Sequence, residues 1–233
     1  MLSLSVNTIS PKERATLRMR GARDHLGNCR KCGLCSGRTR IVFGAGSPVA
    51  PIMVIGGAPG YYDDQEGVPL SGQAGSIFQN AVSRVGLSVR RDIFATNVVK
   101  CRPPRRSDGS NQAIPVTSEH IDECNPYLMW QLEIVKHAII VLHGKRVNQA
   151  LLGDQRSLSQ YAGHWRKFGD KCIALSTHNP AGLFGDRATL KYEYFQHWEE
   201  LALRLNLLGR LWRPDAETFS GGWQCPQGES NGT

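Results

Sequence analysis

Four cysteines and one glycine-rich loop are the places where this chain could do chemistry. Cys29 and Cys32 stand in C-x-x-C spacing, and Cys101 and Cys124 follow singly, each at the edge of an expected element. Four thiolates gathered from distant parts of one chain can hold a tetrahedral zinc or an iron–sulfur cluster, and spacing alone does not choose between them. The bland alternative is a chance or redox C-x-x-C beside two ordinary buried thiols. Cys35, Cys172 and Cys225 bring the total to seven, and an odd number argues against a disulfide framework.

The loop runs from Ile55 to Gly75, IGGAPGYYDDQEGVPLSGQAG. It holds six glycines, two prolines and three carboxylates, Asp63, Asp64 and Glu66, in twenty-one residues. Glycine lets backbone turn sharply or approach a ligand closely. The apolar run Ile52-Met53-Val54-Ile55 before it reads as a buried strand. Open α/β sheets bind ligands at the carboxyl ends of such strands, so the loop is expected to rim an active site.

The elements that must position these groups alternate. Residues 11–26 are expected to form a helix opening at Pro11, and Arg38 to Phe43 a short extended piece. Helices are expected over Ser76–Leu87, from a cap at Thr117 or Ser118 to about Val135, over Gly144–Leu152 and over Ala188–Leu208. Strands are expected at 52–55, Ile93–Val99 and Ala138–Leu142, with two more between Tyr161 and Leu175. Cys101–Ile114 and His178–Gly185 read as loops. Strands alternating with helices imply a three-layer α/β/α sandwich with a mostly parallel central sheet. The organisation expected is an N-terminal helical segment (1–28), one main domain (29–208) and a loose tail (209–233).

Composition sets outer bounds. The chain has 233 residues, 40% hydrophobic, with a net charge of +8 and a sequence pI near 9.3. That length supports one good-sized core. The basic balance is that of either a soluble basic surface or a partner made of phosphates. No run approaches a membrane span, and no basic segment leads into a long apolar one, so a cytoplasmic monomer is expected.

Several motifs then occur in a telling order. CRKCGLCSGRTRIVFGAG is followed by IMVIGGAPGYYDDQEGVPLSGQAG, ATNVVKCRPP, Cys124 ahead of PYL, and THNP. From about Cys29 to Leu205 the chain resembles the iron–sulfur, family-4 branch of the uracil-DNA glycosylases. TNVVKCRPP with its partner cysteines is the specific part; the glycine-rich loop alone would be weak.

The resemblance implies a DNA partner, a flipped base and hydrolysis of its N-glycosidic bond to leave an abasic site. It implies that Cys29, Cys32, Cys101 and Cys124 bind a 4Fe-4S cluster of structural role. It implies that Asn97 reads the base edge with its amide, beside Gly57, Ala58 and Leu70 in the pocket wall. His178 in THNP would stabilise charge on the departing base. Asp63, and less directly Asp64, would handle the attacking water and the sugar's charge. Arg102, Arg105 and Arg106 are placed to meet phosphates, and Leu183 or Phe184 to wedge into the duplex. The other histidines, His143 and His197 among them, read as surface or packing residues.

The chain departs from the family in three places. Gly57 stands where Glu is usual, Leu70 where Phe usually stacks on uracil, and THNP carries Asn179 between His178 and Pro180. Both pocket changes go from larger to smaller. The base is therefore either uracil or a bulkier modified pyrimidine, such as a glucosylated cytosine of phage DNA, with an antiphage role. The alternative is a non-catalytic DNA-binding protein that keeps the fold.

Overall fold

The computed structural model describes residues 9–209 except 109, 111, 136, 170 and 171. The expected tail and Cys225 lie outside the described residues. The helices are α1 (Pro11–Leu26), α2 (Tyr61–Glu66), α3 (Gly72–Arg84), α4 (Val89–Asp92), α5 (Ser118–Ile134), α6 (Lys145–Leu152) and α7 (Ala188–Gly209). The strands are β1 (Ala45–Gly46), β2 (Ile52–Gly56), β3 (Ile93–Asn97), β4 (Ile139–His143), β5 (Trp165–Phe168) and β6 (Cys172–Thr177).

They form a six-stranded sheet in the order β1-β3-β2-β4-β6-β5. The four central strands are parallel, and β1 and β5 are antiparallel edges. The central strands are continuous apolar runs because both faces are covered. Side-chain alternation divides them between two cores. Met53, Ile55, Ile140 and Leu142 join Phe94, Tyr127, Leu128 and α1 on one face. Ile52, Val54, Ile139 and Val141 join Phe78, Tyr194 and Trp198 on the other. The three-layer α/β sandwich expected from the sequence is thus the observed fold.

Local chemistry fixes the ends. Ser10 and Glu13 cap each other's backbone N–H groups at the start of α1, with Pro11 in its first turn. Thr117 caps α5. One sequence expectation needs correction. Residues 61–66, expected as loop, form α2, because the Asp63 carboxylate accepts the Gly60 N–H at its start. The extended piece expected over 38–43 lies outside the sheet; Val42 N–H bonds Lys100 O, and sheet pairing begins at Ala45.

Strand β2 has β3 on one side and β4 on the other, so chain direction across the sheet reverses there. Ligands bind at such switch points, beyond the carboxyl ends of the strands. Gly56 pairs with Asn97 and His143 with Thr177, which brings the ends of β2, β3, β4 and β6 to one rim. Among the described residues no helix is long and apolar enough to cross a membrane.

Candidate active site

A cavity of about 460 Å³ opens at this rim, within the size range of small-molecule sites. Gly57, Ala58 and Pro59 form one wall after β2, and His143 to Arg146 a second after β4. His178, Asn179, Gly182 and Leu183 after β6, with Arg187 and Leu190, form a third. Pro103 and Ala113 close it from the Cys101–Ile114 loop. That loop doubles back on itself, with Arg105 bridged to Ala113 and Arg106 N–H on Gln112 O. Lys145, Arg146 and Arg187 line the cavity and, among the described residues, no carboxylate does, a balance that suits an anionic strand.

Asn97 closes β3 beside this wall. Val98 and Val99 donate their N–H groups to Gly56 O and Gly57 O, so the chain after β3 runs along the first wall. A Cβ at position 56 would collide with Asn97 Oδ1, and only glycine admits the amide there. Asn97 is 5% exposed and its Nδ2 has no partner among the described residues. A buried donor left unpaired is costly unless something supplies an acceptor. Behind it, fully buried Lys100 donates from Nζ to Asn97 O at 2.6 Å, Thr96 Oγ1 at 2.8 Å and Gln131 Oε1 at 2.7 Å. Burial, offset only in part by the charge of Cys124, pushes its ammonium down to about 7.

His178 is 7% exposed, with Nε2 2.8 Å from Glu193 Oε2. Its ring stacks on His197 at 5.8 Å between centroids and 17° between planes. His197 in turn meets Thr177 Oγ1 at 2.7 Å, and burial, followed by the neighbouring His178, pushes it down to about 4. His197 therefore stays neutral beside His178. Sequence reasoning passed over Glu193 and His197, yet their i, i+4 spacing on α7 put both on one helix face. His143, also passed over, lines the cavity; burial pushes it down to about 3, and its Nδ1 has no partner among the described residues.

The carboxylates diverge. Asp63 accepts from Gly60 N–H at 2.9 Å and Ser71 N–H at 2.7 Å through different oxygens, leaving each oxygen a further acceptor position. Burial raises its carboxyl above the ordinary aspartate value, more than those two bonds lower it. It does not line the cavity itself. Asp64, expected to help with water, is fully buried instead. It accepts the Thr39 and Arg40 N–H groups and lies 3.5 Å from Arg102, so it anchors the chain before β1.

The residues expected on DNA also divide. Arg102 is drawn inward to Asp64 and to Gly37 O, at 3.1 Å from Nη2. Arg105 and Arg106 are exposed; Arg106 pairs with Asp108 at 3.1 Å, an exposed pair of little net strength. Leu183 is 1% exposed and packs in the core, so only Phe184, at 40%, is free to wedge. Leu70 is the one non-glycine residue with positive φ among the described residues, at 58°. Such backbone costs about 1–3 kcal/mol and collects at functional sites.

The four cysteines come together. Cys101 and Cys124 are buried, with Cys29 and Cys32 partly buried in the same core. Cys101 feels the charge of Cys124 and Cys32, and Cys124 that of Cys32 and Cys29. Burial pushes the Cys101 thiol up to about 11 and raises Cys124, offset in part by Arg38 at the first and Lys100 at the second. Arg38 Nη1 donates to Cys101 Sγ at 3.1 Å. Among the described residues no three His, Cys, Asp or Glu side chains converge on a point as a single ion needs. Four thiols gathered in one core, with an N–H donor on the Cys101 sulfur, suit an iron–sulfur cluster better than a single ion.

Residues 43–202 match the family profile of the uracil DNA glycosylase superfamily. The chain is 31% identical over 181 residues to a type-4 uracil-DNA glycosylase of Archaeoglobus fulgidus, spanning 75% of this chain and 86% of that protein. It is 34% identical over 166 residues to a type-4 uracil-DNA glycosylase of Saccharolobus solfataricus, 68% of this chain and 73% of that protein. The solved structure of wild-type Pedobacter heparinus SMUG2 superimposes with a TM-score of 0.51 over 83% of this chain and 98% of that one. At 11% identity that is a likeness of fold alone.

Proposed function

The chain belongs to the uracil DNA glycosylase superfamily, and on that footing we propose that this DNA glycosylase excises a pyrimidine bulkier than uracil. The observation that carries the reading is the open wall at Gly57. A Cβ there would lie 3.5 Å from Arg146 Cβ, so any larger side chain would grow toward the arginine stem and narrow the cavity. Leu70, expected in the same wall, does not line the cavity and packs against the core instead, so Gly57 carries the argument. A glucosylated hydroxymethylcytosine of phage DNA is a base of that kind, and its excision would give the enzyme an antiphage role.

The chemistry assigned to the residues is as follows. The base flips into the cavity, where Asn97 Nδ2 donates to an edge carbonyl. The C1′–N bond breaks and its electron pair leaves with the base. With Nε2–H given to Glu193, His178 donates from Nδ1 in its doubly protonated form, and Glu193 supplies the counter-charge. That donor stabilises the anion developing on the base. Asp63 orients a water, whose oxygen bonds C1′ and whose proton passes to the carboxylate. Lys145, Arg146 and Arg187 meet the flanking phosphates, with Arg105 and Arg106 on the outer loop.

Cys29, Cys32, Cys101 and Cys124 would hold a 4Fe-4S cluster. When bound, it supplies ligand bonds that tie the N-terminal knuckle, the Cys101 loop and α5 into one body. The reading is tested by abasic-site formation on phage DNA bearing glucosylated cytosines and on uracil DNA. Excision of uracil alone, at rates typical of the family, overturns the bulky-base assignment. No product from any DNA returns the chain to the non-catalytic alternative.

A further inference from the structure

Two tyrosines next to the cavity have no place in the chemistry above. Tyr61 and Tyr62 open α2, separated from the Gly57–Pro59 wall by Gly60 alone. They are 56% and 53% exposed, although a lone exposed aromatic needs no explanation and an adjacent fixed pair does. Their rings meet edge to face, 5.4 Å between centroids and 83° between planes. The Arg102 guanidinium lies 5.4 Å from the Tyr61 centroid and is itself held by Gly37 O and Asp64. Tyr62 lies on bare backbone at Gly72, whose φ is 62° and where a Cβ would come within 2.5 Å of Tyr62 Cδ2. Exposed Arg40 runs beside the same loop, its Cδ 3.5 Å from a Cβ built at Gly67.

Ring pairs that are both rigid and open suit stacking of unpaired bases, which every base offers through its π-face. The arginines beside them supply charge for the connecting phosphates. We infer that Tyr61 and Tyr62 form a platform for the unstacked bases next to the flipped nucleotide, and that the enzyme thereby favours single-stranded or melted DNA. The inference rests on the glycosylase reading for its partner.

The test is fluorescence anisotropy of the full chain with a labelled oligonucleotide carrying a tetrahydrofuran abasic analogue, single-stranded or as a blunt duplex. Tyr61→Leu and Tyr62→Leu each weaken single-strand binding at least about fivefold, change duplex binding less than about twofold, and Tyr61→Trp restores it. Equal losses on both DNAs, or leucine binding as well as tyrosine, overturns the platform. If Tyr61→Leu does not fold, Tyr62→Leu and Tyr61→Trp carry the comparison. The probe has no scissile base, so absence of excision would sink the glycosylase reading without touching this result.

Discussion

Glu193 Oε2 stands 2.8 Å from His178 Nε2 across the gap between α7 and the loop after β6. This contact occupies Nε2 of His178 and leaves Nδ1 for the proposed donation to the base. Glu193→Gln keeps the hydrogen bond and removes the charge, a difference of about 1–1.5 kcal/mol. Single-turnover excision is expected to slow about tenfold with KM little changed. His178→Ala costs about 10²- to 10³-fold, and the double variant is no worse than His178→Ala.

The open wall gives a second prediction. Gly57→Glu grows into the space beside Arg146. Activity on the bulky base falls at least about tenfold, since even one methylene in a pocket is worth that much. Activity on uracil DNA is retained or rises. Competition assays with the two substrates in one tube measure the ratio.

Asp63 gives a pH dependence. Burial raises its carboxyl above the ordinary aspartate value, and the role proposed for it needs the ionised form. Excision therefore rises with pH through a midpoint above about 3.9. Stability runs the other way: the fold prefers the protonated carboxyl, so the contribution of Asp63 is greatest at low pH and is lost as pH rises through its folded value. A pH profile of single-turnover rates checks this, and Asp63→Asn removes both the limb and most of the activity.

The sheet was legible in the sequence, for a physical reason. Strands β2 and β4 are buried on both faces and therefore read as unbroken apolar runs, and the cysteine spacing marked four thiols that the fold gathers in one core. Helix α2 was not legible, because it depends on one carboxylate turning back to Gly60 inside a glycine-rich stretch. Asp63 and Asp64 are neighbours in sequence, and only the helix turn sends one toward the loop and the other under Thr39. Leu183 looked like a wedge until packing buried it beneath α7. The Glu193–His178 contact arises from docking of a distant helix, though the Glu193/His197 spacing hinted at a shared face.

The cysteines give a stability prediction. Cys101→Ser removes one of the four proposed ligands, itself buried, and ligand binding free energy is folding free energy. Iron content and visible absorbance are expected to drop together, with Tm falling by about 10 °C or more. Cys35→Ser, outside the ligand set, changes neither. An iron-free Cys35→Ser protein would reassign the ligands.

The most direct measurement of the central claim is abasic-site formation by the cluster-loaded enzyme on three DNAs of one sequence, bearing uracil, unmodified cytosine or glucosylated hydroxymethylcytosine. The open wall at Gly57 predicts product from the glucosylated DNA, lost in His178→Ala and reduced in Gly57→Glu. Product from uracil DNA alone, unchanged by Gly57→Glu, would contradict the account.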